Sequence, residues 1–472
     1  MFPVVWGRLV AGGSGSRPVW LVALFGAAVA AHALAAWRLG ALGTRRAGAA
    51  AGPAPSCAAI LAVAALLRLL ALPLAPALSG DVHRYLWDGR VLLAGENPYR
   101  LAPADPALAP LRERSGDLAW RRIEHPEVAT VYPPFALGLF ALAAATPLPL
   151  AVWKVLVAAV DLLGCAALLA LARRLGLPPA RAVWYAWSPL AVVETAGMGH
   201  VDALGVAAAV AAVLWVVRAR GEGSREPSGA AWRPAAAAGA AAAAGALAKL
   251  APLLALPMWA RQSRRPLVLL GVAGALLAAG FVPLVAASGG FPPGLVTYGV
   301  AWEFDGPLYE PAWRLLAAAG ADLRIKAGLD RVEAWTGRYD LLDPVHPWVH
   351  PRLLARAALA VLLAAAVARS ALSRRSLEDP VAGAGRLFAA TLLASATVYP
   401  WYLLWVLPWA ALARQPAWLL AAAVAPLAYL AAPVGPLGSP GTDPFPWVWL
   451  AVWGPPGLAA VLFPRFRRWS TG

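Results

Sequence analysis

Apolar runs follow one another along nearly the whole chain, parted by short polar turns. Runs long enough to cross, or nearly cross, a hydrocarbon core of roughly 30 Å lie at 18–37, 57–78, 150–172, 182–197, 202–217, 235–248, 249–260, 266–287, 352–368, 381–397, 399–413, 416–433 and 447–463. Several are too short to span alone. Long polar stretches interrupt them only at 79–130 and 288–351. The pattern predicts an all-α polytopic membrane protein, one integral membrane domain over 1–472, with about 11–14 membrane helices and two long loops carrying short helices.

Basic residues set the expected sidedness. Arg38, Arg45 and Arg46; Arg173, Arg174 and Arg181; Arg218, Arg220, Arg225 and Arg233; Arg261, Arg264 and Arg265; Arg369, Arg374 and Arg375; and Arg465, Arg467 and Arg468 follow apolar runs and belong inside. The loop 434–446 has no basic residue and belongs outside. Threading the chain this way puts both long loops, Gly199-His200-Val201-Asp202, Lys249 and Tyr399 on the outer face. The stretch 131–147 is apolar too, but as a full span it places every later basic loop on the wrong side. It is read as a short re-entrant helix entering from outside, with a spanning helix as the alternative. Re-entrant backbone needs protein or a water-filled cavity around it, so this reading predicts a cavity beside Asp81. The runs 235–248 and 249–260 pair as a hairpin with Lys249 at its tip.

Composition agrees. The chain is 61% hydrophobic and only 14% charged, against roughly 25% charged in soluble domains. Its 23 Trp and 44 Pro suit interfacial anchoring and helices whose neighbours satisfy the freed backbone. A net charge of +16 raises nucleic acid as a partner, but the basic residues sit in short clusters between apolar runs, so no nucleic acid is expected. Cys57 and Cys165 both lie in apolar runs without metal-ligand spacing; no disulfide and no thiol chemistry is expected. The first run, from Pro18, lacks a suitably placed small-residue cleavage site and is read as a retained helix.

The stretch Ser79–Tyr99 is polar and charged in a chain that is otherwise mostly hydrocarbon. On a helix, Asp81, Tyr85 and Asp88 share one face with Arg84 at its edge, a set able to do acid–base work. Taken singly, Asp81 reads equally as a helix N-cap. Lys249 reads equally as a snorkelling lysine, and Asp161 as the structural partner of Lys154 or of a neighbouring helix. His200 and Asp202, one residue apart with no third ligand in view, make a poor metal site. His32, on an apolar run, is most simply a satisfied core histidine. Trp302-Glu303-Phe304-Asp305 contacts a ligand or anchors its loop. The stripe Tyr399, Trp401, Tyr402, Trp405 and Trp409 mixes an interfacial belt with an aromatic platform, Tyr399 and Tyr402 lying nearest the site.

The run Arg84-Tyr85-Leu86-Trp87-Asp88-Gly89 after Asp81, closed by Gly95-Glu96-Asn97-Pro98-Tyr99, resembles the first outer loop of the GT-C superfamily of integral membrane glycosyltransferases. The chain is similar to the bacterial polyprenol-phosphate-mannose-dependent mannosyltransferases. Tyr132-Pro133-Pro134, Lys154 with Asp161, Ser188-Pro189-Leu190 with Gly199-His200-Val201-Asp202, Lys249-Leu250-Ala251-Pro252 and Tyr399-Pro400-Trp401-Tyr402 follow in the family's order. Many relatives have an acidic pair where this chain has Gly80-Asp81, and some have His where it has Tyr399.

The resemblance implies a GT-C-like helical bundle at the cell membrane, its active site on the extracytoplasmic face. It implies inverting transfer of a mannosyl or other hexosyl group from a polyprenyl-phosphate donor to a hydroxyl of a glycan or glycolipid. Asp81 would be the general base, and Lys249, Arg84 and His200 would meet the departing phosphate. Tyr85, Asp88, Tyr132, Asp202, Tyr399, Tyr402, His346 and His350 would contact substrate, with Arg352 a further cation, and no metal or other cofactor is expected. The alternatives are a lipid or solute transporter or flippase, disfavoured because no internal repeat is visible and the polar groups gather on one face, and a sensor or assembly factor with a dead site.

Overall fold

The computed structural model describes residues 17–40, 55–114, 118–221, 232–431 and 446–462. They are overwhelmingly helical; extended pairing among them is confined to isolated bridges from Phe304 and Asp305 to Thr397. In chain order the longer helices are α1 (Arg17–Arg38), α2 (Cys57–Ala71), α3 (Asp81–Leu93), α4 (Pro134–Ala144), α5 (Pro149–Arg174), α6 (Asp202–Gly221), α7 (Trp232–Ala248), α8 (Leu256–Gln262) and α9 (Pro266–Ser288). There follow α10 (Pro293–Ala301), α11 (Tyr309–Ala318), α12 (Ala321–Thr336), α13 (Pro351–Leu372), α14 (Pro380–Ala394), α15 (Leu407–Ala413), α16 (Pro416–Val424) and α17 (Trp447–Leu462). Proline opens many of them, at Pro134, Pro149, Pro266, Pro351, Pro380 and Pro416. At that position the missing N–H has no intrahelical acceptor to lose.

Four of these helices, α5, α6, α9 and α13, are long and apolar enough to cross a membrane. At 26 residues and about 1.5 Å per residue, α5 has length to spare. Small residues let the inner helices close up: a Cβ on Gly164 of α5 would stand 2.9 Å from the Cβ of Ala207 on α6, and one on Gly239 of α7 would meet the Leu269 carbonyl of α9 at 2.4 Å. On the outside, Leu267 and Val361 are 83% and 69% exposed, which suits a lipid-facing surface.

The other apolar runs are shorter or broken. The run read as 182–197 comprises Val183–Ala186, the Ser188-capped turn Pro189–Val192 and a π-helical turn at Val193–Gly197. The run 399–413 is a 3-10 segment, Pro400–Trp405, followed by α15. Both broken runs are almost wholly buried, as irregular backbone at membrane depth must be.

Within 131–147 the chain forms only α4, 11 residues or roughly 16 Å, about half a hydrocarbon core. A turn leads directly from α4 into α5, and the rings of Phe140 and Trp153 meet at 5.0 Å. Gly89 of α3 packs on the backbone of Phe140 so closely that a Cβ there would sit 2.5 Å from its carbonyl carbon.

The basic turns collect at one end. Arg220 donates to the carbonyls of Gln262 and Glu378, at 2.9 and 3.3 Å, and to that of Leu377, tying together the turns after α6, α8 and α13. Asp202 lies at the opposite end of α6, where Lys249 and Trp405 meet it. The expectations for Arg45, Arg46, Arg225, loop 434–446 and Arg465, Arg467 and Arg468 fall outside the described residues. The second long loop, carrying α10 to α12, is pinned to the chain before Tyr399 by Phe304 N–H donating to Ala396 O (3.0 Å) and Val398 N–H donating to Phe304 O (2.7 Å).

Candidate active site

At the end of α6 away from the basic turns, a cavity of about 290 Å³ opens between α3, the Tyr132-Pro133 turn, the Lys249 turn, α10 and the 399–405 segment. Asp81, the first residue of α3, projects into it with its side chain 29% exposed. Its backbone N–H donates to Ser79 Oγ at 3.1 Å, and the Tyr85 hydroxyl donates to Asp81 Oδ2 at 3.3 Å. One carboxylate oxygen is thus held from behind while the group faces the cavity.

Across the cavity wall, Lys249 Nζ lies 3.3 Å from Asp202 Oδ2, while Asp202 Oδ1 accepts from Trp405 Nε1 at 2.8 Å. Asp202 is fully buried in the first turn of α6, where the helix dipole favours an anion. The ammonium stands 5.1 Å from the Tyr402 ring centre and 5.9 Å from that of Tyr132, so the two phenol rings flank a fixed cation. The hydroxyls of Tyr298 and Tyr402 are hydrogen-bonded to each other.

Behind Asp81 lies His200, 1% exposed, its Nδ1 3.7 Å from Asp81 Oδ2 and its Nε2 3.3 Å from Glu194 Oε2. The imidazole stacks on Trp401 at 3.8 Å, Trp401 on Tyr399 at 4.5 Å, and Tyr399 on Phe304 at 4.6 Å. This four-ring stack joins the turn before α6 to the second long loop. Gly199 makes the turn possible: its φ of +77° belongs to the left-handed region, and Trp153 Nε1 donates to its carbonyl at 2.7 Å.

A second acid enters from the first loop. Glu124 lines the same cavity and accepts from the N–H of Gly80. A Cβ on Gly80 would stand 3.3 Å from Glu124 Oε1 and 2.7 Å from the Arg122 carbonyl. Position 80 is glycine, and Glu124 occupies the space beside it.

Other candidate residues lie elsewhere. Arg84 reaches the cavity and is braced by Asp88 Oδ1 at 2.8 Å and the Val128 carbonyl at 2.8 Å. Asp88 itself is buried behind it, its carboxyl pushed up by burial against the pull of Arg84. Tyr85 is fully buried and stacks on Phe140 at 4.7 Å. Neither Asp88 nor Tyr85 lines the cavity, so they can act on a substrate only through Arg84 and Asp81.

His346, His350 and Arg352 also stand apart from the lining. His346 lies 3.5 Å from Asp330, and with Glu333 these form a ligand-like trio on the second loop; Glu333 is engaged by the Leu342 N–H at 2.6 Å. His350 caps α13. Arg352 and Arg356 both pair with Glu303. His200 and Asp202 face different partners, Glu194 with Asp81 in one case and Lys249 with Trp405 in the other, so they do not converge on one ion. Of the Trp302–Asp305 stretch, Trp302 lines the cavity.

Sequence reasoning missed Glu124, Glu194, Tyr298 and Arg68. Arg68, alone in an apolar run, holds Asp161 through its Nε at 2.6 Å; Tyr185 and Thr195 donate to the same carboxylate at 2.5 and 3.3 Å. Lys154 bonds instead to the carbonyls of Leu72 and Leu74, at 2.6 and 2.5 Å. Asp161 therefore pairs with the neighbouring helix. The available signal was a lone charge in an apolar run, for Arg68 and Glu194 alike. His32 bonds to the Val183 carbonyl at 3.1 Å, as a core histidine should.

Fold and site together define an all-helical polytopic membrane protein built around a chamber lined by carboxylates, basic groups and aromatic rings. A family model described as alpha-(1->6)-mannopyranosyltransferase, N-terminal domain, matches residues 4–263, more than half of the 472 residues. The chain belongs to that family, and is a glycosyltransferase of the mannosyltransferase kind. No match is found among curated proteins or among solved structures.

Proposed function

We propose that the chain transfers a mannosyl group, or another hexosyl group, from a polyprenyl-phosphate donor to a hydroxyl of a glycan or glycolipid, with inversion and with Asp81 as general base. The observation that carries this reading is a partly exposed carboxylate, backed by Tyr85 and His200, in the same chamber as Arg84 and Lys249. An attacking hydroxyl must lose its proton as the new C–O bond forms, and a positioned carboxylate does this work. The departing phosphate gains charge, which fixed cations in a water-poor site stabilise. Arg84 and Lys249 fill that role, with His200 acting from behind Asp81.

Tyr132, Tyr399 and Tyr402, with Asp202 fixing Lys249, shape the sugar and phosphate subsite. Val131, Leu250, Leu295 and Leu392 give the isoprenoid chain an apolar wall. The gathering of basic turns at the opposite end supports, by the positive-inside rule, a chamber on the outer face of the cell membrane. His346, His350 and Arg352 contact substrate in this scheme only if the second loop moves toward the chamber. In this scheme Arg84 and Lys249 meet the charge on phosphate, and no metal is invoked.

Membranes containing the full chain, supplied with radiolabelled polyprenyl-phosphate mannose and acceptor lipids, provide the test. Asp81→Asn is expected to cut transfer by about 10² or more at unchanged protein level, and a chelator of divalent ions to leave wild-type transfer intact. Undiminished transfer by Asp81→Asn removes the base assignment.

A further inference from the structure

Behind Asp81, a chain of acid and base groups runs away from the cavity into the protein. Tyr429 donates its hydroxyl to Glu194 Oε1 at 2.8 Å, Glu194 Oε2 lies 3.3 Å from His200 Nε2, and His200 Nδ1 lies 3.7 Å from Asp81 Oδ2. Glu194 is fully buried and His200 1% exposed. Among the described residues, Glu194 Oε2 and both ring nitrogens of His200 lack a hydrogen bond of good geometry, although each points to the next group in the series.

The backbone is shaped to make this line. Glu194 sits in the π-helical turn Val193–Gly197, a distortion often found at functional sites. The left-handed Gly199 then folds the chain back, so that the His200 N–H donates to the Glu194 carbonyl at 2.9 Å. Trp401 fixes the imidazole plane from one face. Among the described residues Glu194 pairs with no lysine or arginine, only with His200; a buried carboxylate so placed is costly to keep, and a structural role alone needs no histidine between it and the cavity.

We infer that Glu194 and His200 form a buried proton relay that clears Asp81 after it has taken the acceptor's proton. This rests on Asp81 being the base. The acceptor oxygen bonds to the anomeric carbon, the bond from that carbon to phosphate breaks with its electron pair leaving on phosphate, and the hydroxyl proton goes to Asp81 Oδ2. That proton passes to His200 Nδ1 while the proton on Nε2 passes to Glu194 Oε2. Asp81 is again a carboxylate, His200 remains neutral in its other tautomer, and Glu194 is a carboxylic acid. Reverse transfer to water entering the emptied cavity resets the site.

Glu194→Gln preserves size and the acceptor for Tyr429 but cannot take up the proton. In membranes of the full chain it is expected to lower kcat about tenfold or more, with KM for donor and acceptor and the unfolding temperature unchanged, and Glu194→Asp is expected to recover part of the loss. Wild-type kcat in Glu194→Gln, with Asp81→Asn inactive, overturns the relay and leaves the base in place; an active Asp81→Asn overturns the base itself. A second arm does not depend on Glu194→Gln being well behaved: added imidazole is expected to restore turnover to His200→Ala but not to the His200→Ala, Glu194→Gln double variant. Equal rescue of both overturns the relay.

Discussion

Asp305 shows how one buried acid in the second loop responds to pH. It is 4% exposed, its Oδ2 has no hydrogen-bond partner among the described residues, and burial pushes its carboxyl up to about 8, with Glu310 adding to the effect. A raised folded value means the fold's advantage from the neutral acid is complete below the unfolded value of 3.8 and is lost as pH climbs towards about 8. Asp305→Asn is therefore expected to raise the unfolding temperature in detergent at pH 8 and to leave it unchanged at pH 4. Asparagine also tolerates the positive φ of 48° found there. An equal effect at both pH values contradicts the assignment. At this scale the sequence was most readable where a polar group interrupts hydrocarbon: Asp81, Lys249 and Tyr132 all reach the cavity. Glu124 was not readable, because in a loop already rich in charge nothing separates one glutamate from its neighbours until Gly80 is seen to make room beside it.

Among the elements, the α3–α4 contact decides where Asp81 stands. Gly89 rests on the Phe140 backbone, and the same helix presents Asp81 at its first residue. Gly89→Val is expected to destabilise the protein by about 1–3 kcal/mol through overpacking and to lower transfer by shifting α3; thermal unfolding and transfer assays on one preparation check both effects, and an unchanged unfolding temperature contradicts the packing argument. Helix starts at proline were legible, since its geometry suits a first turn and little else in a helix. The breaks within 182–197 were not: most of that run is apolar, and the bonds that accompany the π turn, Met198 N–H to the Val193 carbonyl and Thr195 to Asp161, leave no periodic trace.

For the molecule as a whole, the separation between the Arg220 end and the Asp81 end ties charge to orientation. In a Cys57→Ser background, which leaves only the buried Cys165, Glu96→Cys on the first loop is expected to react with a membrane-impermeant maleimide in intact cells. Arg261→Cys is expected to react only after permeabilisation. The opposite pattern inverts the proposed face. Helical class and two-ended charge layout were readable because hydropathy and arginine placement are properties of the whole chain. The second long loop was not: Arg352, expected as a further cation for substrate, stands with Arg356 on α13, where both pair with Glu303 of the loop.

The rings that close the chamber arrive late. A ribosome that has delivered the chain as far as Arg265 has placed Asp81, Glu124, Glu194, Asp202 and Lys249 in the nascent protein, but not Tyr298, Trp302, Tyr399 or Trp401. Until those last aromatics are synthesised, His200 has nothing to stack against and the acids face an unroofed gap. A nonsense mutation between Lys249 and Tyr399 thus leaves a product that carries every one of these carboxylates and no finished pocket.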